Sequence, residues 1–238
     1  MTTQPPTADA GMVGELVSAV TDTINSFHRV VGLLHTAVLE DLARAAGTVE
    51  KDLGVLKGIE AVSVAEMSRP HSPILGLGFA AHPAVFGEPG LAWWHDAGVG
   101  KGVQLLGVRT KPGTIDFYDY LNTEWWRGSI VDDDNHIFGP YVDHSGTNAY
   151  ILTFARAVRH AGVLSGIVVL DVQVGQLQSM WQAPLLRLPK PCSVINDESV
   201  VIATNDSTLM ANTLKPWASM HRIEIKSSGW SVVLGKGD

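Results

Sequence analysis

Tyr118, Trp125, Trp126 and Tyr141 stand close together in FYDYLNTEWW and GPYVD, and two carboxylates, Asp143 and Asp171, follow them in the chain. Aromatic faces attract cations, each contact being worth roughly 0.5–2 kcal/mol depending on desolvation. Asp143 shares a strand face with Tyr141, because residues two apart on a strand point the same way. Asp171 interrupts an apolar strand, IVVLDVQV, where an inward carboxylate needs a charged or hydrogen-bonding partner. A ligand ammonium held between the two acids would be such a partner. The plainer alternatives are that the rings are ordinary core and that Asp171 accepts from a neighbouring backbone amide.

These residues must be positioned by elements whose periodicity is legible. From about Gly11 to Leu56 apolar residues recur at helical spacing (Leu16, Val20, Ile24, Phe27, Val31, Leu34, Val38, Leu42), which predicts a long helix with an interruption near Gly32 or Gly47. About 40 helical residues span about 60 Å, so the helix is expected to serve as a spine or a dimer seam; the alternative is two ordinary helices packed on a core. After a loop at Arg69 to Pro73 come short β-like runs, ILGLGFAAH, GLAWWHD and GVQLLGVRT. FYDYLNTEWWRGSI reads as a short helix opening into a loop, and GPYVD as the start of a strand. NAYILTFARAV and GVLSGIVVLDVQV form a hairpin around His160–Gly162, and GQLQSMWQAPLL reads as a helix ended by Pro184 and Pro189. The tail, with CSVIN, SVVIATN, HRIEIKS and GWSVVLG, predicts a second, smaller sheet. Strands joined by hairpins imply antiparallel pairing and an α+β class.

Composition narrows the function. The chain has 238 residues, 45% of them hydrophobic, enough to bury a core. Lys and Arg number 17 against 24 Asp and Glu, and the basic residues are scattered, so no nucleic-acid partner is expected. The single cysteine, Cys192, forms no internal disulfide and reads as a small buried residue in a strand. The first residues, MTTQPPTADAG, resemble neither a secretory nor a transit signal, and no apolar run reaches the roughly 18 residues of a membrane span. The expectation is a soluble, cytoplasmic protein.

With these residues in view, the sequence resembles the double Cache sensor domains, PAS-like ligand-binding modules best known from the extracytoplasmic parts of bacterial chemoreceptors and histidine kinases. The resemblance covers most of the chain and is strongest in YDYLNTEWW, GPYVD, ILTFARAV and GIVVLDVQV. It implies a long N-terminal helix plus two PAS-like antiparallel-sheet modules: a helical spine over 1–56, a distal-type ligand-binding module over 57–184 and a smaller proximal-type module over 185–238. In members that bind amino acids the pocket motif has a tyrosine, an arginine, a tryptophan and a second aromatic. Tyr118, Trp125 and Trp126 match the aromatics, Tyr141 and Asp143 match a later tyrosine and aspartate, and Asp171 matches the final aspartate that holds the ligand amino group.

Thr123 stands at the arginine position. An arginine there would anchor a ligand carboxylate by a bidentate, charge-assisted pair. With threonine, the resemblance implies a small amine or quaternary ammonium more than an α-amino acid, with Arg127 or Arg109 as substitute guanidinium in the amino-acid alternative. A purine held by stacking is a further alternative. The family commonly dimerises along its first helix, so a homodimer is expected. Typical members are flanked by membrane helices, whereas this chain begins in polar residues and stops at Lys236–Gly237–Asp238, so a free-standing sensor acting on a separate output protein, such as a transcription regulator, is expected.

Two other function classes compete with a sensor. Asp132, Asp133 and Asp134 with His136 and His144 suggest a metal site by residue type, yet they lack a recognised ligand spacing and read better as a solvated acidic loop. There is no G-x-S-x-G elbow, P-loop or H-E-x-x-H, and the glycines from Gly98 to Gly102 read as a β-turn. No catalytic residue, metal or cofactor is therefore expected. A ligand-free structural interaction module is the other class.

Overall fold

A computed structural model describes residues 7–45, 53–98, 101–115, 117–144, 148–210, 213–215, 217, 220–226 and 228–235. The elements in chain order are α1 (Thr7–Arg44), α2 (Lys57–Met67), β1 (Ile74–Ala81), α3 (Pro83–Phe86), β2 (Gly90–Asp96), β3 (Val103–Leu105), α4 (Glu124–Ser129), β4 (His136–Val142), β5 (Tyr150–His160), β6 (Val163–Gln173), α5 (Val174–Arg187), β7 (Cys192–Ile195), β8 (Val201–Thr204), β9 (His221–Glu224) and β10 (Ser231–Leu234). They divide into two compact units, one of residues 27–173 and one of residues 1–26 with 174–238. Helix α1 contributes to both.

The helical spacing noted above builds α1. Leu16, Val20, Ile24, Val31, Leu34, Val38 and Leu42 form its buried stripe. The helix runs unbroken through Gly32 and ends at Arg44, short of the expected boundary; Gly47 lies outside the described residues. A glycine in a helix interior costs up to about 1 kcal/mol relative to alanine, too little to break a helix whose stripe is buried along this length.

Helix α2 has no counterpart among the elements expected from periodicity. Its buried face mixes Ile59 and Met67 with Ser63 and Glu66, so its apolar period is weak. Specific contacts hold it instead. Glu66 pairs with Arg29 of α1 at 3.3 Å and with Arg69 at 2.9 Å. Asp41, buried near the end of α1, accepts the Gly58 backbone N–H at 2.7 Å and so satisfies one of the free donors at the α2 N-terminus.

Unit 27–173 is built on a six-stranded antiparallel sheet of order β3-β2-β1-β6-β5-β4. One face packs on α1, where Phe154 of β5 meets Phe27 at 5.0 Å between ring centroids. Because alternate residues point to opposite faces, Thr153 and Ala155 of β5, Val169 and Asp171 of β6, and Ala80 of β1 lie on the other face. The connection from β3 to α4 runs over that face and closes a second core with Trp93, Tyr120, Trp125 and Trp126. The expected hairpin at His160–Gly162 forms, with Ala161 and Gly162 at positive φ. Val99 and Gly100 of the expected β2–β3 turn lie outside the described residues.

The second unit holds a four-stranded antiparallel sheet, β8-β7-β10-β9, at the four predicted strand segments. Cys192 is buried in β7, and burial pushes its thiol up to about 12. Helix α5 buries Val174, Leu177, Trp181 and Leu185, and the Trp181 indole donates to Thr23 of α1 at 3.1 Å. It does not stop at Pro184 but continues to Arg187. A proline removes the bond to the carbonyl four residues back and its ring crowds that carbonyl, but Pro184 stands in the last turn, with only three helical residues after it. The α+β class with a long N-terminal helix and two antiparallel sheets is the architecture expected from the sequence.

Candidate functional site

The segment carrying most of the candidate residues folds in the reverse order to that expected. Tyr118 follows a short bridge to the segment around Arg109, and its N–H donates to the Arg109 carbonyl at 2.8 Å. A short 3-10 turn follows at Tyr120–Asn122, and only then does α4 begin. Thr123 sets that start as its N-cap. Its hydroxyl donates to the Tyr120 carbonyl at 2.7 Å and accepts the Trp126 backbone N–H at 3.3 Å. A loop therefore opens into a short helix, because the capping hydroxyl comes after the tyrosines rather than before them.

Above the sheet face, a cavity of about 40 Å³ is lined by Tyr118, Trp125, Tyr141, Asp143 and Asp171. Leu91 and Trp93 of β2, Leu106 and Val108 of the covering segment, and Val169 of β6 complete the wall. Five of the seven candidate residues thus meet at one point. Trp126 and Thr123 do not line it. Successive residues on an α-helix diverge by about 100°, so Trp125 and Trp126 cannot both face the cavity. Trp126 packs into the core against Tyr120 at 5.2 Å and His82 at 6.0 Å between ring centroids. Thr123 is occupied as a helix cap.

The fourth ring of the cavity is Trp93, which sequence reasoning missed. GLAWWHD places two tryptophans in succession on a strand, so one must face each side of the sheet, but sequence leaves open which one faces the covering segment. Glycines make room for it. A Cβ on Gly76 would lie 2.6 Å from the Trp93 indole nitrogen, and a Cβ on Gly78 would lie 2.0 Å from the Ala92 carbonyl oxygen. Tyr120, also unremarked in the sequence, is fully buried, donates to the Ala81 carbonyl at 2.5 Å and accepts the Gly90 N–H at 2.9 Å. It anchors the covering segment to the sheet and stacks near-parallel on Trp125 at 6.3 Å.

The electrostatics of the cavity are set by its acids. Asp171 is 8% exposed, and burial raises its carboxyl to about 8, with Asp143 pushing the same way and a hydrogen bond from Thr153 opposing. Burial first, and then the Asp171 and Asp143 charges, raises the Tyr118 hydroxyl well above the ordinary tyrosine range, against a hydrogen bond from Trp125. Tyr141 is also raised, by burial and then Asp171. Among the described residues lining the cavity there is no Lys, Arg or His. Arg127 is exposed and bonds Asn122, and Arg109 is exposed, so neither reaches the cavity wall.

The acidic loop has partners of its own. Asp132 meets His136 at 2.7 Å, and the Asp133 carboxylate accepts from Arg159 at 2.9 Å. Among the described residues no group of three or more His, Cys, Asp or Glu side chains is placed to hold a metal ion.

No protein-family model matches the sequence. Solved structures with the same architecture do. The ligand-binding domain of the Campylobacter jejuni chemoreceptor Tlp3, in complex with 4-methylisoleucine, aligns with a TM-score of 0.63 at 12% identity over 95% of this chain and 88% of that one. The ligand-binding domain of the Pseudomonas fluorescens chemoreceptor CtaA, in complex with L-valine, aligns with a TM-score of 0.58 at 14% identity over 95% and 96%. That of the Pseudomonas aeruginosa amino acid chemoreceptor PctC, in complex with GABA, gives 0.56 at 15% identity over 93% and 95%. The fold is therefore that of chemoreceptor sensory domains of the Cache type, as the sequence resemblance implied. All three of these neighbours are ligand-binding domains of chemoreceptors. No helix among the described residues is long and apolar enough to cross a membrane.

Proposed function

We propose that this protein is a small-molecule sensor whose ligand carries a positive charge, a small amine or quaternary ammonium, bound in the cavity between Asp143, Asp171 and the rings of Trp93, Tyr118, Trp125 and Tyr141. The observation that carries this reading is the make-up of the wall: two acids and four aromatic rings, with no cationic side chain among its described residues. An ammonium would favour the ionised form of the buried Asp171, and the rings would stabilise the cation further. Size supports the same reading. A cavity of about 40 Å³ favours a compact ligand over a purine.

The structural neighbours favour a second reading, a small α-amino acid, since several of them were solved with valine-like ligands. That reading needs a donor for the ligand carboxylate, which Thr123, as a helix cap, does not provide. Amino acids and their decarboxylated amines separate the two. Calorimetric titration with isobutylamine and valine, alongside tetramethylammonium and acetate, is expected to show binding of the two cations and not of acetate or valine. Tighter binding of valine than of isobutylamine would transfer the proposal to amino acids, and no binding of any would leave the ligand-free interaction module.

A homodimer along α1 belongs to the same proposal. The apolar stripe of α1 is buried within the chain, leaving an outer face of Glu15, Ser18, Asp22, Arg29, Thr36 and Glu40 with Leu33 among them. Such a seam would be polar and weakened by salt.

A further inference from the structure

Thr153 bonds two residues of the cavity wall, Tyr141 and Asp171, without forming part of the wall itself. It is fully buried on β5, in register with Asp171 on β6. Its Oγ1 is 2.7 Å from Asp171 Oδ1 and 2.6 Å from the Tyr141 hydroxyl oxygen. A threonine hydroxyl has one hydrogen and two lone pairs, and an ionised carboxylate only accepts. With Asp171 ionised, Thr153 must donate to Asp171, and Tyr141 must donate to Thr153. The Tyr141 hydrogen is thereby turned away from the cavity, so towards the ligand both Tyr141 and Asp171 present lone pairs alone.

We infer that Thr153 is a specificity-determining positioning residue, which by directing the Tyr141–Thr153–Asp171 chain makes this side of the cavity an all-acceptor surface once Asp171 is ionised, and so selective for cationic ligands. The inference deepens the amine reading and rests on it for the ligand class. The groups facing Asp171 are Asp143 beyond the end of β4, Tyr141 on β4, Thr153 on β5 and Tyr118 on the covering segment. On β1 its register partner is Gly76, beyond which His95 of β2 continues the row.

The test compares wild type, Thr153→Val and Thr153→Ser in two measurements. In the ligand-free protein, the Asp171 carboxyl carbon is titrated by NMR. Thr153→Val is expected to move its midpoint upward by about one pH unit or more, since a hydrogen bond to the charged form is lost, and Thr153→Ser is expected to restore it. In the second, tetramethylammonium, whose own charge is independent of pH, is titrated calorimetrically near neutral pH. Thr153→Val is expected to weaken its binding by about ten- to a hundredfold, again with rescue by serine. An unchanged Asp171 midpoint in Thr153→Val would overturn the role of Thr153. If wild type binds no ammonium probe, the amine reading fails, while the ligand-free titration still decides whether Thr153 polarises Asp171. Should Thr153→Val fail to fold, Tyr141→Phe, which removes the upstream donor, is expected to raise the midpoint by a smaller amount, and no rise would overturn the chain.

Discussion

Asp171 is the residue whose chemistry is most exposed to test. Its carboxyl titrates at about 8 in the folded chain against an ordinary 3.8, so between these values the folded state holds a proton that the unfolded state has lost. The stability this group contributes is full below about pH 4, declines as pH rises, and is gone above about pH 8. Thermal unfolding of wild type minus that of Asp171→Asn is expected to show this decline, and a flat difference would contradict it. Binding runs the other way, because a cation selects the ionised carboxylate. The affinity for tetramethylammonium is expected to rise by up to about tenfold per pH unit and to level off near pH 8. Titrations at several pH values check this, and the rise is absent in Asp171→Asn.

Thr123 belongs to the same scale but to a different role. As the N-cap of α4 its loss to alanine is expected to cost about 1 kcal/mol of stability, measured by denaturant unfolding. Ligand affinity should fall little, since Thr123 lies off the cavity wall. A large loss of affinity with unchanged stability would return Thr123 to the ligand.

At the scale of elements, three glycines separate helix from sheet. Gly32 lies within α1, where a Cβ would meet nothing within 4 Å, so Gly32→Ala is expected to raise stability by about 0.5–1 kcal/mol. Gly78→Ala would drive a methyl into the Ala92 carbonyl and is expected to lower stability by about 1–3 kcal/mol. At Gly76 the obstacle is the Trp93 ring rather than backbone, so alanine there displaces a cavity wall and should act on ligand affinity more than on stability. Paired denaturant and binding measurements on the three variants check the ordering.

At the scale of the whole molecule, the cavity lies within unit 27–173. Ligand is therefore expected to slow amide exchange in β4, in β6 and around Tyr118–Ser129, while β7, β8 and β10 of the other unit keep their ligand-free rates. Hydrogen exchange read by mass spectrometry tests this, and equal protection in both sheets would show that the ligand acts on the units together.

Periodicity and residue chemistry made much of this legible in advance. The α1 stripe, the β5–β6 hairpin and the four strands of the smaller sheet follow from spacing between near neighbours, which depends only on 3.6 residues per helical turn and two per strand repeat. The candidate acids, Tyr118, Trp125 and Tyr141 were recognisable because such residue types are costly or unusual where they stand. Helix α2 was not legible, since its face is held by Glu66 and Asp41 contacts from distant parts of the chain rather than by an apolar period. Nor was the choice of Trp125 over Trp126, of Trp93 over Trp94, or the placing of Thr153 against Asp171. Each of these depends on which face a partner segment covers and on the register between strands. The sequence by itself determined which acids and aromatic rings are candidates for a site and which local elements carry them; the tertiary structure decided which of them share a cavity, because adjacency in the chain sends neighbouring side chains in different directions and only packing brings distant ones together.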